Sequence, residues 1–404
     1  MLIRLALRNI LRNRRRSAIT LAVITFGVVG LILFGGYKAI TFHNLRESTI
    51  RGRLGHLQVY HLGYTTTESQ KPLEYGLDDV QALRAEIERD RRVRMTAAQI
   101  GLTGLISNGE RSETFIATAV EPENERAMSG HRIVSGEQLP LDEADAVIIG
   151  RGLAASMNVS PGDFLTLMTT TVSGSLNAAD VRVAGIFTSG VKELDARAIK
   201  IPLPAAQQLL QTSKVEKLLV FLHDTEDTAA VRSDLEKVFA SNGWALETKT
   251  WIDLASFYHQ VVLLYNGIFG FLGLVIFGVV IFSVANTILM SVLERTREIG
   301  TLMAIGTTRS RVARMFLLEG FLTGTVGGVI ALLAAAIVAF VINSSDFTLP
   351  PPPGYSVGYQ LRILLQPSIL VTGFAIAVVT STLSSIVPAM KAARLTIVDA
   401  LGHI

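Results

Sequence analysis

The stretch Glu294–Gly306 reads ERTREIGTLMAIG and lies between two long apolar segments of the chain. Its first five residues carry four charges, and the eight that follow are apolar or small apart from Thr301. A segment of this kind is too polar at its start to cross a bilayer, and it is typical of a short amphipathic helix at a membrane surface. The apolar segments on both sides of it are candidate membrane spans.

The composition favours a membrane protein. Of the 404 residues, 49% are hydrophobic and only 18% are charged, against a charged share of about 25% in soluble proteins. Cysteine is absent, which excludes a disulfide framework, a thiolate metal site and a cysteine nucleophile. The seven histidines form no metal-ligand cluster and no Ser/His/Asp set carries a nucleophile elbow. We therefore predict no metal site, no catalytic residues and no nucleic-acid partner.

Four apolar segments predict four transmembrane helices, at residues 17–37, 261–293, 315–343 and 368–388. The second is the longest. Its trimmed run Tyr265–Leu293 would form a helix about 43 Å long, against a hydrocarbon core of about 30 Å. We expect this helix to tilt or to project beyond the bilayer. The first run is too long for a signal peptide and is followed by no clear cleavage site, so we interpret it as a retained span.

The distribution of basic residues predicts the orientation. Thirteen of the 37 lysines and arginines lie in three short segments, 1–16, 294–314 and 391–404. The loop at 344–367 contains only Arg362. By the positive-inside rule, both termini and residues 294–314 are cytoplasmic. Residues 1–16 predict either an amphipathic basic helix on the inner membrane surface or an ordinary charged flank of the first span. Residues 389–404 form the predicted cytoplasmic tail.

Residues 38–260 predict an extracytoplasmic α+β domain of two small layered subdomains. Asn108-Gly109, between two strand-like runs, predicts a hairpin, and an acidic N-cap with helical apolar spacing predicts a helix over Asp78–Asp90. Predicted strands lie at Leu102–Ser107, Thr114–Val120, Ala146–Ile149, Phe164–Thr169, Val181–Phe187, Ala198–Ile201 and Lys217–His223, with helices at Pro204–Leu210 and Thr228–Phe239. The predicted fold class is a membrane α-helical protein with a large α+β insertion between the first and second of four transmembrane helices.

Several motifs resemble one known family. Asn286-Thr287, the run Glu294–Gly300, Ala304 and Gly306 resemble the hinge of MacB/LolC/FtsX-type ABC permeases. Pro388–Arg394 and Ala400-Leu401 resemble the C-terminal signature of the family, which usually carries Asp-Pro where this chain has Thr396-Ile397. Outside the membrane, Gly150–Met157 with Pro161-Gly162-Asp163 is similar to the family's extracytoplasmic domain. Val183–Phe187, with Glu193, Asp195 and Ile201–Leu203, is more similar to the LolC/LolE branch than to MacB.

In that family, the hinge is a coupling helix that docks on the nucleotide-binding subunit. The resemblance implies that the coupling residues are Glu294, Arg295, Arg297, Glu298, Ile299, Gly300, Leu302, Met303, Ala304 and Gly306. The four charged residues give the helix a polar start, and Ile299, Leu302, Met303 and Ile305 would supply an apolar docking surface. The small residues would allow close backbone approach and a tight exit turn.

The resemblance also implies an assembly. Two permeases, identical or different, would pair with two ATPase subunits in a bacterial inner membrane, and ATP-driven closure would move the periplasmic domains. The chain has no GxxxxGK[ST] loop, so ATP and magnesium are expected on the partner. In the Lol branch, the cargo is a lipoprotein passed to a carrier. The alternatives are a MacB-like efflux permease with a periplasmic adaptor and an FtsX-like regulator of a cell-wall hydrolase.

Other candidate residues lie within or next to the apolar segments. Gly320, Gly324 and Gly328 have GxxxG spacing and predict close helix packing, either within the chain or in a dimer. Glu319 is interpreted as a snorkelling or hydrogen-bonded acid, with an intramembrane functional role as the alternative. We interpret Trp251, Phe257 and Tyr258 either as an aromatic belt at the membrane interface or as residues that contact a lipid-like cargo. Phe269, Phe271, Phe277 and Phe282 are interpreted as lining an intersubunit cavity, with Phe269 and Phe277 as candidate cargo contacts, or as lipid-facing or packing residues.

Overall fold

A computed structural model of the chain describes residues 14–67, 73–128, 131–345, 347–351, 354, 356, 358–396 and 400. Most of the predicted amphipathic helix at 1–16 and much of the predicted tail lie outside these residues. The described helices are α1 Arg14–Thr49, α2 Tyr64–Thr67, α3 Val80–Ile87, α4 Pro122–Met128, α5 Arg151–Met157, α6 Lys192–Asp195, α7 Leu203–Leu210, α8 Thr228–Ser241, α9 Trp251–Leu254, α10 Ser256–Glu294, α11 Thr296–Ala304, α12 Arg309–Ser344 and α13 Pro367–Ala393.

The described strands are β1 Leu57–His61, β2 Val93–Ser107, β3 Ser112–Val120, β4 Arg132–Gly136, β5 Ala146–Gly150, β6 Phe164–Thr170, β7 Leu176–Thr188, β8 Ala198–Pro202, β9 Lys217–Leu222, β10 Leu246–Thr250, β11 Thr348–Leu349 and β12 Tyr359–Gln360. The chain divides into two compact units. The helical unit contains residues 1–43, 260–349 and 360–404, and the second unit contains 44–259 and 350–359.

Four helices of the chain, α1, α10, α12 and α13, are long and apolar enough to cross a membrane. Each extends past the apolar run that predicted it, because polar residues at the ends continue the helix. The largest difference is at α1, which reaches Thr49 rather than residue 37. At 39 residues, α10 is about 58 Å long at 1.5 Å per residue. Pro388, expected to flank the fourth span, lies inside α13.

Close packing of α12 on α13 depends on small residues. A Cβ on Gly320 would lie 2.7 Å from Ser385 Cβ, and one on Gly324 would lie 2.8 Å from Ala377 O. Ser381 Oγ donates a hydrogen bond of 2.7 Å to Gly320 O. A Cβ on Gly328 would lie 2.9 Å from Cδ2 of the Phe374 ring. The GxxxG residues therefore face a helix of the same chain, which answers the question left open by the sequence.

Glu319 lies on the buried side of α12, next to Gly320. Thr323 Oγ1 donates a hydrogen bond of 2.7 Å to Glu319 O, one turn earlier in the helix. Because Glu319 is only 8% exposed, its side chain lies inside the helical unit and does not extend to the surface as snorkelling would require.

The second unit is built on one ten-stranded sheet with the order β10-β1-β9-β2-β3-β8-β5-β7-β4, and β6 pairs with β2 and β7. All the strands predicted for residues 38–260 lie in this one sheet. The first part of the long β2 pairs with β9 and its last part pairs with β6. One large apolar core includes residues from both ends of the unit, such as Leu57, Phe115 and Val183.

The predicted strands and helices of this unit are present in the structure, but β2 begins at Val93 rather than Leu102 and β7 begins at Leu176 rather than Val181. The β2–β3 hairpin closes through four residues, because Asn108 Oδ1 accepts hydrogen bonds from the backbone N–H groups of Glu110 and Arg111. The sequence interpretation missed three strands, β1, β4 and β10. Of these, β4 is largely exposed and β10 is half-buried and polar, so neither shows an alternating apolar pattern.

Candidate functional site

The candidate site is α11 and the turns on either side of it. The backbone of Arg295, at φ −114° and ψ 16°, ends α10 and allows a new helix to begin at Thr296. Thr296 Oγ1 donates a hydrogen bond of 2.9 Å to Leu293 O across this break. At the other end, Gly306 has a φ of 102°, which favours glycine, and α12 begins at Arg309. The predicted hinge is therefore a separate nine-residue helix.

The inner face of α11 consists of Thr296, Ile299, Gly300 and Met303, all of which are buried. Their spacing places them on one side of a helix. Ile299 is 1% exposed and packs in the core of the helical unit together with Met303, Val312 and Ala392. Ile299 and Met303, which were predicted to supply docking surface, therefore lie on the buried side of α11, where both side chains fill the chain's own core.

Gly300 is in close contact with the C-terminal segment. A Cβ added to Gly300 would lie 2.7 Å from Ala400 Cβ, and Ala400 is fully buried. Real Cβ atoms do not approach one another so closely. Glycine at this position therefore allows Ala400 to pack against α11. This contact links the predicted hinge to one residue of the predicted tail.

The outer face of α11 consists of Arg297, Glu298, Thr301, Leu302, Ala304 and Ile305, all of which are exposed. Leu302 is 42% exposed and Ile305 is 80% exposed. Two large apolar side chains next to an arginine and a glutamate form a small mixed surface. Arginine is enriched at protein-binding surfaces, and exposed apolar side chains rimmed by charged residues often mark such a surface.

Ion pairs fix both ends of the α10–α11 junction. Arg16 Nη2 lies 2.7 Å from Glu294 Oε1, so α1 is tied to the end of α10. Arg295 Nε lies 2.8 Å from Glu298 Oε2, three residues along α11. Arg297 forms no ion pair with any residue that the structure describes. Of the four predicted coupling charges, Glu294 and Arg295 therefore stabilise the junction, and Arg297 is available to a partner.

Thr287, from the Asn286-Thr287 motif, also joins two helices. Its Oγ1 lies 2.6 Å from Thr20 Oγ1 of α1. Asn286, by contrast, is exposed on α10 and forms no hydrogen bond within the described part of the chain.

The aromatic candidates separate into buried and exposed residues. Trp251 is 5% exposed and packs with Ile50, Ala255 and Tyr258 in the second unit. Trp251, a candidate for an interfacial belt or for contact with cargo, is therefore covered by residues of its own unit. Phe269 packs 5.8 Å from the Phe34 ring. Of the remaining candidates, Phe257 and Phe277 are exposed on α10.

Within the described residues, no group of three or more His, Asp or Glu side chains could hold a metal ion.

Comparison with known proteins identifies two families along the chain. Residues 17–238, more than half of the sequence, match the MacB-like periplasmic core domain. Residues 270–397 match the FtsX-like permease C-terminal family. The chain belongs to the MacB/LolC/FtsX permease family. The second match covers α11 and most of the helical unit. The MacB/LolC/FtsX fold class, with four apolar helices and a periplasmic-type domain between the first two, is confirmed.

Curated relatives include both MacB and LolC proteins. The macrolide export ATP-binding/permease protein MacB of Escherichia coli (strain K12) is 37% identical over 121 residues, which is 30% of this chain and 17% of that protein. The lipoprotein-releasing system transmembrane protein LolC of Xylella fastidiosa is 23% identical over 335 residues, covering 78% of this chain and 79% of LolC. This member of the MacB/LolC/FtsX family thus matches a small part of the MacB relatives' length and most of LolC.

Two solved structures also match. The periplasmic region of MacB from Actinobacillus actinomycetemcomitans aligns with a TM-score of 0.38 and 12% identity, over 51% of this chain and 93% of that one. The extracellular domain of the transporter YknZ from Gram-positive bacteria aligns with a TM-score of 0.36 and 10% identity, over 48% and 99% of the two chains.

Proposed function

We propose that this chain is the permease subunit of an ABC transporter whose ATPase is a separate protein. The outer face of α11 binds that ATPase on the cytoplasmic side, and the permease passes the resulting motion to its periplasmic domain. The observation that carries the proposal is the division of α11 into two faces. Its inner face packs in the permease, while Arg297, Leu302 and Ile305 are exposed on a segment of permease type.

The packing of α11 suits the transmission of force. Ile299 and Met303 share one core with residues of α10, α12 and α13. Because protein interiors are close-packed and little compressible, a displacement of α11 is passed on to the helices that contact it. The ion pair between Arg16 and Glu294 adds a direct link between the end of α10 and α1. In this proposal the permease binds no nucleotide, and the partner ATPase binds ATP and magnesium.

We propose lipoprotein, or another amphiphile with an acyl chain, as the cargo. Similarity to the Xylella fastidiosa LolC over 78% of this chain supports this choice. The 37% identity with E. coli MacB favours a second candidate, an efflux permease that works with a periplasmic adaptor, but it extends over only 121 residues. A dimer with a second copy or with a paralogous permease is part of both proposals.

The test uses the tagged full chain purified from its native membrane with its associated proteins. We expect ATP hydrolysis to co-purify, and the variants Leu302→Asp and Ile305→Asp to weaken the association at least about tenfold, as expected for loss of an apolar anchor. Leu141→Asp, at an exposed leucine of the second unit, is the matched control and should retain the ATPase. If the ATPase association is unchanged in both α11 variants, the proposed docking surface is wrong.

The cargo is tested separately. Release of an acylated protein to a soluble carrier supports the lipoprotein proposal, and association with a periplasmic adaptor supports efflux. A cell-wall hydrolase that binds the periplasmic domain, without lipid-dependent stimulation of ATP hydrolysis, would contradict both and favour a regulator of the FtsX type.

A further inference from the structure

A groove of about 540 Å³ lies between α10 and α13 in the helical unit. One wall consists of Phe282, Asn286 and Leu289, and the other of Val387, Pro388 and Lys391. Pro388 has no backbone N–H, so α13 lacks one helical hydrogen bond beside the groove. The walls are mainly apolar, with one amide along their length and one ammonium group near the end of α13.

Two polar side chains of this groove lack partners. Asn286 and Lys391 are both exposed, and neither has a hydrogen bond or ion pair with any residue that the structure describes. An amide on a membrane-spanning helix is unfavourable unless another group hydrogen-bonds to it. The groove thus offers an apolar channel, a hydrogen-bonding amide and a cation.

The groove has the dimensions of one bilayer leaflet. Asn286 lies eight residues before the end of α10 and Phe282 lies twelve before it, which places them about 12 Å and 18 Å along the helix axis. Half of the hydrocarbon core is about 15 Å thick. Lys391 lies two residues from the end of α13. A ligand with its head at Lys391 and its chain reaching Phe282 would therefore span one leaflet.

The charge at this end of the helices determines the kind of head group. The two described glutamates near it, Glu294 and Glu298, are already paired with Arg16 and Arg295. Lys391 therefore meets no competing carboxylate among the residues described here. Further exposed arginines lie at the start of α12, namely Arg309, Arg311 and Arg314. This distribution favours an anionic head group over a zwitterionic one.

We propose that this groove is a binding site for an anionic phospholipid. Its acyl chain lies along Phe282, Leu289 and Val387, its phosphate accepts a hydrogen bond from Lys391 Nζ, and an ester carbonyl accepts one from the Asn286 amide. A second copy of the chain fits less well, because a two-fold contact through the groove would bring two Lys391 side chains towards each other. The site does not depend on the proposed ATPase partner.

Lipid exchange on the purified full chain tests this site. After delipidation in detergent, phosphatidylglycerol and phosphatidylcholine are titrated and bound lipid is counted by native mass spectrometry. We expect the wild type to prefer phosphatidylglycerol. Lys391→Gln should weaken its binding about fivefold, the effect of one basic residue at an anionic surface, and Lys391→Arg should retain it. Leu289→Trp fills the groove and should weaken the binding of both lipids.

Arg394→Gln is the matched control, because it removes an exposed cation at the same end of α13 but outside the groove. Any one of three lipid-binding results would overturn the proposal. These are equal affinity for the two lipids, the same loss in Arg394→Gln as in Lys391→Gln, and lipid binding that Leu289→Trp leaves unchanged. Efficient disulfide formation between two copies of Phe282→Cys would show that a second chain occupies the groove, and it would also overturn the proposal.

Discussion

Replacing Gly300 with alanine tests whether the C-terminal segment is fastened to α11. The new Cβ would lie 2.7 Å from Ala400 Cβ and 3.4 Å from the Ala400 carbonyl carbon. Alanine favours a helix over glycine by about 1 kcal/mol, whereas overpacking in a close-packed core typically costs about 1–3 kcal/mol. The net effect of Gly300→Ala is therefore a destabilisation of about 0–2 kcal/mol, confined to the contact with residue 400.

The small net value makes a double-mutant cycle more informative than the single variant. Ala400→Gly removes the Cβ that Gly300→Ala meets, so the double variant should regain about 1–2 kcal/mol relative to the sum of the single variants. Gly270→Ala is the control, because its Cβ would meet nothing within 4 Å, and it should show only the gain in helix propensity.

The free energies are measured by thermal unfolding in detergent, and the location by amide hydrogen exchange. We expect faster exchange in residues 296–304 of Gly300→Ala, and recovery of protection in the double variant. Additive free energies, within about 0.5 kcal/mol, would refute the inferred contact between Gly300 and Ala400. Faster exchange throughout α12 and α13 would likewise refute a local effect.

Two further predictions concern the cores of the two units. In Gly324→Val, the new Cβ would lie 2.8 Å from Ala377 O and Ser381 Cβ. This overpacking should lower the free energy of unfolding by about 2–3 kcal/mol and with it the unfolding temperature of the helical unit. Gly267→Val is the control, because a Cβ there meets nothing within 4 Å and should cause no such loss. His56 accepts a hydrogen bond from Leu222 N at Nδ1, and burial lowers its pKa from 6.5 to about 4. As the pH falls, His56 is protonated in the unfolded chain before it is protonated in the folded chain. The stability contributed by His56 is therefore complete above pH 6.5 and is lost as the pH falls towards 4. We expect a loss of about 1–3 kcal/mol over this window in denaturant titrations of the wild type, and a much flatter dependence in His56→Gln.

The sequence predicted the membrane helices and most of the second unit because these depend on local patterns. Apolar runs longer than a bilayer and strands flanked by turn residues are visible without tertiary information. Strand β10 was missed because its sequence, LETKT, shows no alternation, and only pairing with β1 makes it a strand. The ends of α1 and α10 were placed short for a related reason, since polar residues continue both helices beyond the apolar run.

The candidate site was predicted only in outline. Composition and the motif located α11, but no sequence pattern alone showed which of its apolar residues face the core. Helical spacing does place Ile299 and Met303 on one face, and Leu302 near another, so the division was present as a periodicity. Which face is covered became clear only from the positions of Val312 and Ala392, which are distant in sequence. The contact between Gly300 and Ala400 had no local signal.

The two faces of α11 also carry different information about function. Ile299 and Gly300 belong to the motif by which the family was recognised, yet both are buried against this chain's own core and C-terminal segment. Their identity is therefore explained by the packing of the permease, whichever partner binds. The choice among partners has to lie in side chains that a partner can touch, namely Arg297, Leu302 and Ile305. A match to the motif thus reflects how α11 packs in the permease, whereas only similarity in the exposed residues bears on the proposed ATPase-binding surface.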